Sequence, residues 1–114
     1  MDPNKPIIMK ARDKNREIQI TPNEICYCKA EGCYTWIYLA SGEKHLISRP
    51  LGQLEKQLNK ERFVRCHKSY VVNVSKIINI NIEKGIIVQR LYQIPISKRK
   101  IVELLYKCYG YILK

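Results

Sequence analysis

Phe63-Val64-Arg65-Cys66-His67-Lys68-Ser69-Tyr70-Val71-Val72-Asn73 is the stretch that decides how this chain folds. β-Branched and aromatic residues fill both of its ends, and His67, Lys68 and Ser69 interrupt them. This pattern predicts two short strands meeting at a basic corner, with Lys68 presented outward while the flanks enter a core.

The same strand signature repeats outward from that corner. Upstream, strand-like runs cover residues 7–10, 17–21, 24–29, 34–39 and 44–47, with turn signals at Thr21-Pro22-Asn23 and Ser41-Gly42. In the fourth run Tyr34, Trp36 and Tyr38 alternate with Thr35, Ile37 and Leu39. Pro50 opens a connecting helix, where its missing N–H costs nothing, and Leu51, Leu54 and Leu58 recur at helical spacing. Downstream, residues 76–82, 86–89 and 92–96 read as strands, with Glu83-Lys84-Gly85 as a turn. A closing helix follows, with Ser97 placed to cap it and Ile101, Leu104, Leu105, Cys108 and Ile112 as its apolar stripe; Gly110 is placed to end it early. The expected fold is mainly β: about 8–10 short strands in small antiparallel sheets, one connecting helix and a C-terminal helix.

At 114 residues the chain holds one domain, with residues 1–6, two of them proline, as a tail ahead of a module at 7–114. Lys and Arg number 21 against 10 acids, a net charge of +11. The excess is lopsided. Residues 1–57 carry 9 basic and 7 acidic side chains, net +2, whereas residues 58–114 carry 12 and 3, net +9. Concentrated positive charge points to an anionic partner, nucleic acid ahead of an acidic membrane, and a basic loop on a β scaffold is one way to reach into duplex DNA. No apolar run approaches the roughly 18 residues of a spanning helix, and the N-terminus has no signal-peptide core, so the cytoplasm is the expected compartment.

Five cysteines, at 26, 28, 33, 66 and 108, do not form a secreted disulfide framework. Cys26 and Cys28, two apart in a strand, are expected on one face, but no second pair stands at zinc-ligand spacing, so neither a metal nor another cofactor is expected. Cys66 and His67 are neighbours in a strand and point to opposite faces, which argues against a Cys/His couple and against catalysis. Two other readings stay open. The Tyr34/Trp36/Tyr38 face is a candidate platform for unpaired bases, against the commoner cross-strand packing role. Cys33 in a loop and Cys66 near Lys68 motivate a thiol-responsive interaction module, against buried inert thiols. Among the basic residues, Arg65, Lys68, Lys98, Arg99 and Lys100 stand out. Lys98 and Arg99 follow Ile94-Pro95-Ile96-Ser97 at a turn into a helix, where the positive helix terminus favours phosphate.

Over nearly its whole length the chain resembles the LytTR family of bacterial DNA-binding domains. The resemblance is carried by residues 25–35, by the helix from Leu51 to Leu58, by the corner at 63–73 and by Ile94-Pro95-Ile96-Ser97-Lys98-Arg99. It implies an elongated stack of small, mostly antiparallel sheets that binds duplex DNA through loops, two of them in successive major grooves and a third contact between. Carried onto this chain, the first loop falls at Cys33-Tyr34-Thr35, the second at Ser97-Lys98-Arg99 and the intermediate contact at Lys68. Family members often have Asn where Cys33 stands and Arg where Lys68 and Lys98 stand. Lysine is a point charge without the guanidinium fork, so Arg99 becomes the best guanine reader. The resemblance further implies a transcription regulator acting on direct-repeat sites with two copies bound. It also implies a receiver or sensor domain, or a partner protein, beyond these 114 residues, unless the module stands alone.

Overall fold

The computed structural model describes residue 2 and residues 4–13 and 16–113. Met1 and Pro3 of the expected tail and the Ile112 side chain of the expected stripe lie outside the described residues. Ten strands occur among them: β1 (Ile7–Lys10), β2 (Glu17–Ile20), β3 (Ile25–Glu31), β4 (Tyr34–Leu39), β5 (Lys44–Ile47), β6 (Phe63–His67), β7 (Tyr70–Asn73), β8 (Ile77–Asn81), β9 (Ile86–Gln89) and β10 (Gln93–Pro95). Two α-helices, α1 (Leu51–Gln57) and α2 (Ile101–Leu113), complete the set. No described helix is long and apolar enough to cross a membrane.

All strand pairings are antiparallel and fall into three sheets: β1-β2, then β5-β4-β3-β7-β6, then β10-β9-β8. The five-stranded sheet sits between two cores because its strands alternate apolar residues across both faces. Cys28, Ile37, Ile47 and Val71 face Met9, Ile20, the α1 leucines 51 and 54, and Leu58 just past the helix. Tyr27, Val64, Cys66 and Val72 face Ile87 and Ile94 of the three-stranded sheet and Leu104 of α2. Each such fully buried aliphatic side chain contributes roughly 1.5–3 kcal/mol, so the central sheet is clamped from both sides. The result is a stack of extents 41 × 29 × 24 Å.

Local sequence departs from the expected pattern in four places. Cys26 and Cys28 do not share a face: the pairing of β3 with β4 slips between Ile25 and Tyr27. The extra residue turns Cys26 into the core containing Tyr27 while Cys28 enters the other. Ser97 occupies the N-cap position of the turn Lys98–Lys100, yet its side chain makes no capping bond. The backbone closes that turn instead, Lys100 N–H donating to the Ser97 carbonyl at 2.9 Å. Leu105 is not inward. It is exposed with Val102, Tyr106 and Tyr109, because the core is reached by Ile101, Leu104 and Cys108, and a neighbour of Leu104 is rotated about 100° away. Gly110 does not stop α2, which continues to Leu113.

Candidate nucleic-acid interface

Pairing register brings the expected loops to one end of the five-stranded sheet. Lys29 of β3 pairs with Tyr70 of β7, and Ala30 N–H donates to the Ser69 carbonyl at 2.8 Å. The Gly32-Cys33 turn therefore lies at the same end as the Lys68 corner and projects past it by about two residues of strand, roughly 7 Å. Gly32, at φ 59°, supplies the left-handed backbone that this tight turn requires. Past β6, Ser97 N–H donates to the Cys66 carbonyl at 3.0 Å, which lays the 97–99 turn beside the corner. Ile96 is held from behind by Gly85, whose carbonyl accepts the Ile96 N–H at 2.9 Å. A side chain on Gly85 would start 3.3 Å from the Ile96 carbonyl. Across this end the order is thus residues 33–34, then 68, then 97–99.

The expected residues are placed unequally. Cys33, Lys68, Lys98 and Arg99 are exposed, and Tyr34 and Ser97 are half-buried. Thr35 departs from expectation: it is fully buried and its hydroxyl donates to the Arg49 carbonyl at 2.7 Å. Strand alternation forces this, because Tyr34 and Trp36 take the outer face. Lys100 spends its charge on Glu103 at 3.5 Å.

Arg65 is structural in a way its position in the motif did not reveal. It pairs with Val71 and so points to the α1 side of the sheet, where Nη1 meets Glu55 at 2.8 Å. Its remaining donors turn back on the corner, Nε to the His67 carbonyl at 3.2 Å and Nη2 to the Lys68 carbonyl. His67 Nδ1 accepts the Ser69 N–H at 3.1 Å, and its ring meets Tyr70 edge-on at 5.4 Å. At the far end of β7, buried Asn73 donates to the Ile25 carbonyl at 2.8 Å and accepts from Ser75. His67 thus shapes the corner from within while Asn73 fixes the opposite end of β7, and Lys68 is left free of carboxylate partners among the described residues.

The aromatic face is largely engaged. Tyr38 stacks on Tyr27 at 4.3 Å and meets Tyr92 edge-on, while the Lys44 ammonium lies 4.6 Å over Trp36. Trp36 Nε1–H donates to Glu31 at 3.3 Å. Cross-strand packing therefore accounts for Tyr38, whereas Tyr34 and Trp36 stay half-buried with Arg12 and Lys44 over their rings. Cys66 is fully buried between the Tyr70 and Pro95 carbonyls, and burial pushes its thiol up to about 12 against the opposing pull of Arg65 and Lys100. A thiolate nucleophile does not form there at neutral pH. Cys26 and Cys28 are raised by burial as well.

Residues 15–107 match the LytTr DNA-binding domain model. The chain belongs to the LytTr family. Its relatives include a response regulatory protein of Vibrio cholerae, 35% identical over 104 residues covering 84% of this chain and 39% of that protein. The transcriptional regulatory protein YpdB of Escherichia coli K12 is 29% identical over 96 residues, covering 79% of this chain and 39% of YpdB. The chain spans about two fifths of the length of these relatives. Among solved structures, the LytTr domain of a Bacillus cereus protein described as a methyl-accepting/DNA response regulator superposes with a TM-score of 0.75 at 20% identity, over 90% of this chain and 95% of that one. This likeness establishes the LytTr fold: small antiparallel sheets with two helices.

Proposed function

We propose that this LytTr module binds duplex DNA sequence-specifically, as the output domain of a bacterial transcription regulator working in the cytoplasm. Residues 7–114 form the binding unit. Cys33 and Tyr34 enter one major groove, Ser97, Lys98 and Arg99 enter the next, and Lys68 grips the backbone between them. Thr35 contributes by anchoring the first tip to Arg49. Arg99 reads a guanine through its fork, while Lys68 and Lys98 act as point charges on phosphate or base edges.

One observation carries this reading: three tips bearing exposed or aromatic side chains lie together at one end of the five-stranded sheet, the 97–99 turn docked there by the Ser97–Cys66 backbone bond. Sheet-mounted loops lose little entropy on binding, so spacing between tips selects a groove pitch. Two copies on a direct repeat would extend the contact, with a receiver or sensor domain supplying control.

In vitro selection from a random duplex library tests the proposal. The expected result is an enriched motif repeated in the same orientation, with repeats about two helical turns apart, because each copy already occupies two successive major grooves. Absence of enrichment, or Trp36 quenching by oligo(dT) without any duplex preference, would overturn it in favour of single-strand stacking.

A further inference from the structure

A second cationic surface lies beside the first tip, along the outer edge of β5. Residues 10–12 run antiparallel to that edge: Ala11 bridges Ile47, Arg12 N–H donates to the Leu46 carbonyl at 2.7 Å, and Ser48 N–H donates to the Lys10 carbonyl at 2.9 Å. Residues 11–13 and 16 thereby border a cleft of about 680 Å³ against the outer face of β4 and β5. Arg12, Arg16 and Lys44 line it together with Tyr34 and Trp36, and Asp13 is the one carboxylate among its lining residues.

Arg12 and Lys44 are held in place without being neutralised. The Arg12 guanidinium lies 5.1 Å over the Tyr34 ring, and the Lys44 ammonium 4.6 Å over Trp36. Among the described residues, none of Arg12, Arg16 and Lys44 has an ion-pair partner, whereas Arg65 pairs with Glu55 and Lys100 with Glu103. A ring contact fixes a cation's position while leaving its N–H donors open, which is the arrangement a phosphodiester needs. Tyr34 belongs both to this cleft and to the first tip, so an occupant of one is adjacent to the other.

We propose that this cleft is a phosphate-binding subsite that holds the DNA backbone on the flank beyond the first tip. The inference rests on the reading of the tip end as a DNA-binding face. Arg12 precedes the residues 15–107 that match the family model, whereas Arg16, Tyr34, Trp36 and Lys44 lie within them. Phosphates carry no base identity, so the subsite adds affinity and register without sequence preference.

The test compares two duplexes carrying the selected motif, one with a long flank next to the first tip and one trimmed there. Binding is followed by fluorescence anisotropy across salt concentrations. On the long duplex, Arg12→Ala combined with Lys44→Ala should weaken binding to all sequences alike and flatten the log–log salt slope by about 1–2. On the trimmed duplex the variant and the parent protein should coincide. Arg12→Lys should keep most of the slope, separating charge from mere packing on Tyr34. A double variant that retains the parental slope on the long duplex overturns the subsite, as does one that changes base preference. Arg99→Ala run in parallel distinguishes the two readings: if it loses affinity while the double variant does not, only the subsite fails. If the parent protein binds neither duplex, both fail. Arg16→Ala supplies an independent variant should Arg12→Ala lower the melting temperature.

Discussion

Arg65 clasps the turn that carries Lys68: the guanidinium paired with Glu55 at 2.8 Å also donates to the Lys68 carbonyl. One side chain therefore ties α1 to the basic corner, and Lys68 is presented by a turn whose backbone is held from inside the protein. Arg65→Ala removes the ion pair and both carbonyl bonds and leaves Glu55 half-buried and alone. The expected cost is about 1–3 kcal/mol of stability, read from urea unfolding. Duplex affinity should fall as well, although Arg65 touches no DNA in this reading. Full rescue by Arg65→Lys would contradict the clasp, since an ammonium cannot reproduce the fork.

Arg99 and Lys68 should separate by kind of contact. Arg99→Ala is expected to cost about 1–3 kcal/mol of binding and to relax discrimination at one base pair. Lys68→Ala should weaken every duplex alike and reduce the salt slope by about 1. Anisotropy titrations against single-base variants of the selected site check both. A change of preferred base in Lys68→Ala would reassign that residue from backbone to base.

Thr35 offers a test of a residue whose place in the chain suggested contact while its burial forbids it. Thr35→Val keeps the shape but deletes the hydroxyl that donates to the Arg49 carbonyl. Stability should drop by about 1–2 kcal/mol, measured by chemical denaturation. Base preference in a repeated selection should stay the same, because the outward groups of the first tip are untouched. An altered motif would mean that Thr35 reaches the duplex after all.

Alkaline pH should unfold the domain through its buried acids. Burial raises Cys26, Cys28, Cys66 and Tyr27 above their ordinary values, Cys66 to about 12. The native state thus keeps these protons when the unfolded chain has released them. Their contribution is complete below the unfolded thiol value of about 9 and is lost as pH climbs through 9 toward 12. The urea midpoint should fall between about pH 8 and about pH 10.5. Native thiol labelling at about pH 8 should modify exposed Cys33 and spare Cys26, Cys28 and Cys66. Rapid labelling of Cys66 in the native protein would refute the buried-thiol account.

Much of the fold was open to a reading of residues alone. Period-two alternation and turn residues located all ten strands to within a residue or two, and the Leu51, Leu54, Leu58 spacing located α1. Of the expected interface, Cys33, Lys68, Lys98 and Arg99 are exposed where loop signals put them. These are local properties: a turn needs its glycine and a strand its alternation whatever lies elsewhere in the chain.

Pairing between distant segments decided the rest. The slip in β3 that parts Cys26 from Cys28 exists only against β4, and the partner of the buried Thr35 hydroxyl is supplied only by the distant Arg49 carbonyl. Arg65 could be read as a surface cation until α1 brought Glu55 beneath it. Arg12 gave no signal in the sequence, because its place over Tyr34 depends on residues 10–12 lying along β5. A sequence by itself can say which side chains are charged and which segments are pleated. Which charges stay unpaired, and which tips end up side by side, is set by register and packing across the whole chain.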